Sequence, residues 1–113
     1  MMFDKQTLEQ ILKGKKTVTR RVRRNNTRPA VPHNIHKLKI DRTPVSYGLI
    51  RIISCEKGRL GDLNEEDAVK EGFATKEEYL DYFEKVNGSK QPNLPIWIVE
   101  FELIKQGTIK NGI

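Results

Sequence analysis

Two helix-start signals fall in a single stretch of the chain, and their placement restricts the fold more than any other feature. Asn64 stands three residues before Asp67, and Thr75 three before Glu78, the second being a full T-x-x-E capping box. The helix predicted from Lys76 carries Tyr79, Leu80, Phe83 and Val86 on one face and Glu77, Glu78, Asp81 and Glu84 on the other, and Asn87-Gly88 ends it. Three strand-like runs precede this stretch: Thr17 to Arg24, His36 to Ile40, and Tyr47 to Cys55. One follows it, Ile96 to Ile104, where Glu100 and Glu102 alternate with Phe101 and Leu103. A short opening helix is predicted over Asp4 to Leu12, with Leu8, Ile11 and Leu12 at helical spacing and Gly14 at its end. Strands that follow one another in this way show no βαβ rhythm. They predict an α+β domain: a small, mostly antiparallel, partly closed β-barrel with about three short helices, closure serving to hide sheet edges.

The 113 residues fit one domain, expected over 1–104, with 105–113 as a loose C-terminal tail. A lone cysteine, Cys55, excludes an internal disulfide framework and an all-cysteine zinc site, and no activating partner for it is visible. The longest apolar run, Ile96-Trp97-Ile98-Val99, is far too short to span a bilayer, and the N-terminus is polar within four residues. The expectation is a cytoplasmic protein with no membrane partner; the oligomeric state is left open.

Charge narrows the partners. Lys and Arg number 21 against 15 Asp and Glu, a net of +6, and the excess is uneven. Residues 1–61 hold fifteen basic and four acidic side chains, a net of +11, whereas residues 62–84 hold two and nine, a net of −7. A basic surface for a polyanion follows, with nucleic acid first, because clustered Lys and Arg displace the counterions of phosphates. The densest part runs from Lys13 to Arg28 and contains Lys15, Lys16, Arg20, Arg21, Arg23 and Arg24 with no acidic residue. Strand alternation sets Arg20 and Arg24 on one face with Val18 and Val22, and Thr19, Arg21 and Arg23 on the other. Arginine's planar fork suits bidentate phosphate recognition. A solvated edge strand protected by positive charge is the plainer reading, and an adaptor for an acidic protein partner is a third. Tyr47 is the expected stacking aromatic, while Trp97 and Phe101 lie at core spacing.

The segment Ile11-Leu12-Lys13-Gly14-Lys15-Lys16-Thr17-Val18-Thr19-Arg20-Arg21 resembles the opening motif of the ASCH domain family. Leu60-Gly61-Asp62-Leu63-Asn64-Glu65-Glu66-Asp67-Ala68 followed by Glu71-Gly72-Phe73 is similar to that family's second motif, and Trp97-Ile98-Val99-Glu100-Phe101 to its closing strand. The resemblance covers about residues 5–104. It implies a PUA-like barrel with a cleft between barrel and helices, binding RNA or a modified nucleoside without a cofactor. Within the family, small amidohydrolases remove the acyl group of N4-acetylcytidine with a lysine, a threonine and a glutamate. By resemblance these fall on Lys16, Thr19 and Glu71. Their chemistry would make Lys16 the base, Thr19 the nucleophile and Glu71 the proton shuttle to the leaving amine, with Arg21 near the oxyanion. Lys16 and Thr19 differ by three, so the pair requires Lys16 to lie in the turn before the strand. The motif departs from the amidohydrolases in its Arg20-Arg21 continuation, and Pro32-His33-Asn34-Ile35-His36 replaces an expected Gly-Asp turn. Some family members are metal-dependent ribonucleases. His33 and His36 lack a third ligand at zinc spacing, so no metal is expected; they read as hydrogen-bonded loop residues, with contact to RNA phosphate or ribonuclease acid-base chemistry as the functional alternatives.

Overall fold

The computed structural model describes residues 1–110. The elements run α1 (Lys5–Leu12), β1 (Val18–Val22), β2 (Ile35–Lys37), β3 (Val45–Arg59), a 3-10 turn (Leu60–Asp62), α2 (Glu65–Lys70), α3 (Lys76–Asn87) and β4 (Pro95–Lys110). The four strands form one antiparallel sheet in the order β1-β4-β3-β2. Both ends of the sheet stay open, so the barrel is partial. Three register shifts along β3, between Ser46 and Gly48, Leu49 and Ile50, and Ile52 and Ser54, bend it as bulges do.

The local reasons are readable. Asp4 caps α1 by accepting the Thr7 N–H at 2.8 Å, and Leu8 and Ile11 turn inward. Asn64 and Asp67 form the reciprocal capping box of α2, at 2.8 and 3.0 Å. Thr75 accepts the Glu78 N–H at 3.1 Å, which is half of the box expected there, and the N–H of the next residue, Lys76, bonds to the Glu65 carboxylate. Gly88, at φ 82°, closes α3 in the left-handed conformation that glycine adopts freely.

β4 is one of the two inner strands, and over 96–101 both of its faces are covered. Trp97, Val99 and Phe101 join Phe3, Leu8, Ile11, Leu38, Ile50 and Ile52 in one core, while Ile96 joins Leu60, Leu63, Ala68, Tyr79 and Phe83 in a second under α2 and α3. Cys55 is buried in the first. Of the predicted face of α3, Tyr79 and Phe83 are buried, Leu80 packs at the rim, and Val86 is exposed. The expected tail at 105–113 is strand as far as Lys110, because Lys105, Gln106 and Lys110 pair with Leu49, Gly48 and Val45; residues 111–113 lie outside the described residues. No helix among the described residues is long and apolar enough to cross a membrane.

Candidate functional site

β1 is an edge strand, bonded to β4 on one side only. Along its other side lies a cavity of about 590 Å³, walled by the N-terminal segment and α1, by α3, and by the end of α2. Its lining includes Lys16, Thr19, Arg20, Arg21, Arg24 and Glu71, together with Phe3, Tyr79, Tyr82 and Phe83.

Lys16 precedes β1, in the turn that the sequence argument required. The N–H groups of Lys15 and Lys16 both bond to the Gln10 carbonyl as α1 ends, and Thr17 N–H bonds to the Lys70 carbonyl at 2.8 Å. These bonds tie the turn to the end of α2, where Glu71 is the C-cap and Gly72 turns the chain at φ 94°. Lys16 and Glu71 are therefore bridge partners in the backbone as well as in their side chains.

The site centres on Glu71, 1% exposed. One carboxylate oxygen accepts from Lys16 Nζ at 2.6 Å and the other from Arg20 at 2.8 Å. Arg20 also approaches Asp67 at 3.7 Å. Lys16 donates further to the Val18 carbonyl at 2.9 Å and the Glu71 carbonyl at 3.4 Å, so its ammonium is fully engaged. Burial pulls the Lys16 pKa below the usual lysine value; the Glu71 carboxylate opposes this, and the charges of Arg21 and Arg20 add to it. Arg21 donates Nε to Thr19 Oγ1 at 3.4 Å and a terminal nitrogen to the Met2 carbonyl at 2.7 Å, and stacks 4.9 Å above the Phe3 ring. Tyr82 donates its hydroxyl to the Asp4 carboxylate, which clasps α3 to the start of α1. Burial holds the Tyr79 phenol protonated far above its usual pKa, and the Glu71 charge adds to the effect.

The structure gathers Lys16, Thr19, Arg20, Arg21, Arg24 and Glu71 around one cavity. Three predicted ligand contacts lie elsewhere. Lys15 is exposed at the turn, because the backbone there aims Lys16 inward instead. Arg23 does not line the cavity, and its guanidinium lies 6.0 Å over the Trp97 ring, with the Lys57 ammonium at the same distance. Tyr47 packs against the first core, its N–H bonded to the Leu38 carbonyl. His33 is exposed at φ 74°, and His36 lies partly buried in β2; neither lines the cavity. Among the described residues no group of three His, Cys, Asp or Glu is placed to hold a metal ion. The aromatic wall and the Asp4–Tyr82 clasp escaped the sequence reading. The spacing of Tyr79 and Tyr82, three apart on one helix, was the available signal.

Fold and site together define a small α+β domain that holds a buried lysine-glutamate-arginine cluster in a cavity along a sheet edge. A sequence model of the ASCH domain matches residues 1–105, and the chain belongs to that family. No curated protein matches it. Solved structures share the fold. The ASCH domain from Lactobacillus crispatus is 15% identical with a TM-score of 0.67, covering 88% of this chain and 71% of that one. Protein EF3133 from Enterococcus faecalis is 15% identical with a TM-score of 0.66, over 89% and 71%. ASCH from Zymomonas mobilis is 20% identical with a TM-score of 0.59, over 95% and 71%.

Proposed function

We propose that the chain binds a nucleoside, free or as an unpaired residue of RNA, in the cavity along β1. The observation that carries this is one cavity combining a cationic rim, Arg21 and Arg24, with the rings of Phe3, Tyr79, Tyr82 and Phe83. Its volume of about 590 Å³ is in the range of small-ligand pockets. Rings offer stacking surfaces for a base, and guanidinium groups suit phosphate. The test is equilibrium binding of mononucleotides and a short single-stranded RNA across a salt series. Saturable binding that weakens with salt, with mononucleotide competing, supports the reading. Binding of an acidic protein segment that RNA does not displace would favour the adaptor reading instead.

A second reading, hydrolysis of an N-acylated nucleoside such as N4-acetylcytidine, is favoured by Lys16, Thr19 and Glu71 bordering the same cavity. Thr19 Oγ1 would attack the acyl carbon, its proton passing to the neutral amine of Lys16, while Arg21 Nε, 3.4 Å away, stabilises the oxygen. Lys16 would pass that proton to Glu71, its partner at 2.6 Å, and Glu71 would hand it to the departing amine; water would then add to the Thr19 ester and release the carboxylic acid, returning the proton to Thr19. The step needs Lys16 without its proton, and burial draws the lysine that way. Conversion of N4-acetylcytidine to cytidine by the wild type, absent in Thr19→Val, supports catalysis. No conversion by the folded wild type would leave binding alone.

A further inference from the structure

The ladder between β1 and β4 has a definite parity. Phe101 N–H bonds to the Thr17 carbonyl at one end and Arg23 N–H to the Pro95 carbonyl at the other, with Thr19 opposite Val99 and Arg21 opposite Trp97 between them. In an antiparallel pair the hydrogen-bonded residues alternate, so the main-chain groups of Thr19 and Arg21 serve the sheet and those of Val18, Arg20 and Val22 point away from it. The edge is not uniformly free. Lys70 covers its start by accepting from Thr17 N–H, and the Val18 carbonyl is taken by Lys16 Nζ. From Arg20 onward the outward edge borders the cavity, which both Arg20 and Val22 line.

An extended strand aims the carbonyl of one residue and the N–H of the next but one to the same side, side by side. We propose that the Arg20 carbonyl and the Val22 N–H together bind the pairing edge of the base. This rests on the nucleoside reading above and adds how the base is held. An acceptor beside a donor fits a ligand edge carrying a donor beside an acceptor, which is the cis-amide edge of uracil or the amidine edge of cytosine. In a pyrimidine both such edges include ring position N3. The site therefore takes a base whose pairing edge is exposed, and it rejects a base already paired in a duplex or methylated at N3. Side chains play no part in this contact, so the cations around it remain available for phosphate and for Glu71.

The experiment uses the full chain labelled with ¹⁵N and titrated with uridine monophosphate, cytidine monophosphate and 3-methyluridine monophosphate. The expected result is a downfield shift of the Val22 amide proton with the first two and about tenfold or more weaker binding of the methylated nucleotide, the scale of one lost bidentate base contact. Val22→Pro deletes the outward N–H without removing a ladder bond, as an edge strand permits, and is expected to lower uridine monophosphate affinity by a similar factor. Shifts at Thr19 and Arg21 without one at Val22, or equal affinity for the methylated nucleotide, would overturn the inference while leaving the nucleoside reading in place. No shift at any cavity residue with any of the three would overturn both. Should Val22→Pro fail to fold, the comparison of nucleotides on the wild type decides alone.

Discussion

Lys16 and Glu71 are 55 residues apart in the chain, yet the lysine ammonium donates to the glutamate carboxylate at 2.6 Å, with 4% and 1% of the two side chains exposed. Arg20 takes the other carboxylate oxygen, so one buried anion balances two buried cations. Such a cluster is asymmetric in its energetics. Removing the shared partner costs much more than the whole arrangement contributes, because it leaves charge buried without compensation.

Glu71→Gln is therefore expected to destabilise the fold by about 3–5 kcal/mol near neutral pH. Without the carboxylate, the Lys16 pKa falls further below its unfolded value of 10.5. The unfolded chain then binds more protons than the folded one between those two pKa values, so stability rises with pH across that window. Urea unfolding at about pH 7 and about pH 9.5 checks this, since the deficit of the variant should shrink at the higher pH. An equal deficit at both would mean that Lys16 is not the group left uncompensated.

The clasp between α3 and α1 has the same sign of pH dependence, but its window lies in the acid range. Burial pushes the Asp4 pKa up, but hydrogen bonds from the Tyr82 hydroxyl and from the Thr7 N–H and hydroxyl more than offset this and hold it below 3.8. That contribution is full above the unfolded pKa and is lost as pH falls through the lower folded one. Tyr82→Phe is expected to cost about 0.5–1 kcal/mol at neutral pH, because the bond to the Asp4 carboxylate is solvent-exposed and screened, and correspondingly less in acid. Thermal melting of both proteins from neutral pH into the acid range measures it.

Arg24 is the exposed arginine on the cavity rim, and Lys15 is exposed in the turn before β1. With single-stranded RNA, Arg24→Ala should lower the slope of log affinity against log salt by about 1, the signature of one lost phosphate contact. Lys15→Ala should leave mononucleotide affinity unchanged. A loss of mononucleotide affinity in Lys15→Ala would show that the ligand extends out over the turn.

Gly72 is positioned where a side chain has little room. Its φ is +94°, and an added Cβ would lie 3.1 Å from Gln10 Cβ and 3.3 Å from Lys16 Cβ. Gly72→Ala is expected to cost about 1–3 kcal/mol through backbone strain, and to shift the resonances of Lys16 and Glu71. Unfolding curves and side-chain NMR of the variant report the two effects separately.

Much of this was legible from residues that act locally. Asp4, Asn64, Thr75 and Gly88 mark helix ends by their own side chains or their own φ, and local signals of that kind survive in a linear reading. Lys16 in the turn followed from a parity argument that needs only neighbours. Tyr47 and Arg23 lie away from the cavity, and residues 105–110 are strand, for one shared reason: each placement depends on what lies across the sheet. Tyr47 faces the first core because β3 pairs as it does with β2 and β4, and residues 105–110 become strand because Val45 to Leu49 offer partners. The Lys76 N–H at the start of α3 is likewise taken by Glu65, eleven residues earlier, a contact that no local signal marks. The aromatic wall was hidden because Phe3, Tyr79 and Phe83 read as ordinary core residues until a cavity is seen beside them.

The pairing of Val18 with Glu100 spans 82 residues, and β1 bonds to no other strand of the sheet. During synthesis the cationic strand has no template until β4 has been made, while the helix that supplies Glu71 is complete earlier. The cavity along β1 is thus among the last features of the domain to assemble, late in the order of folding events although near the start of the sequence. Contacts of such long range slow folding, and they leave a run of unneutralised arginines open to polyanions in the meantime. A nascent or partly unfolded chain would therefore attract polyanions through charge alone, before the cavity along β1 exists.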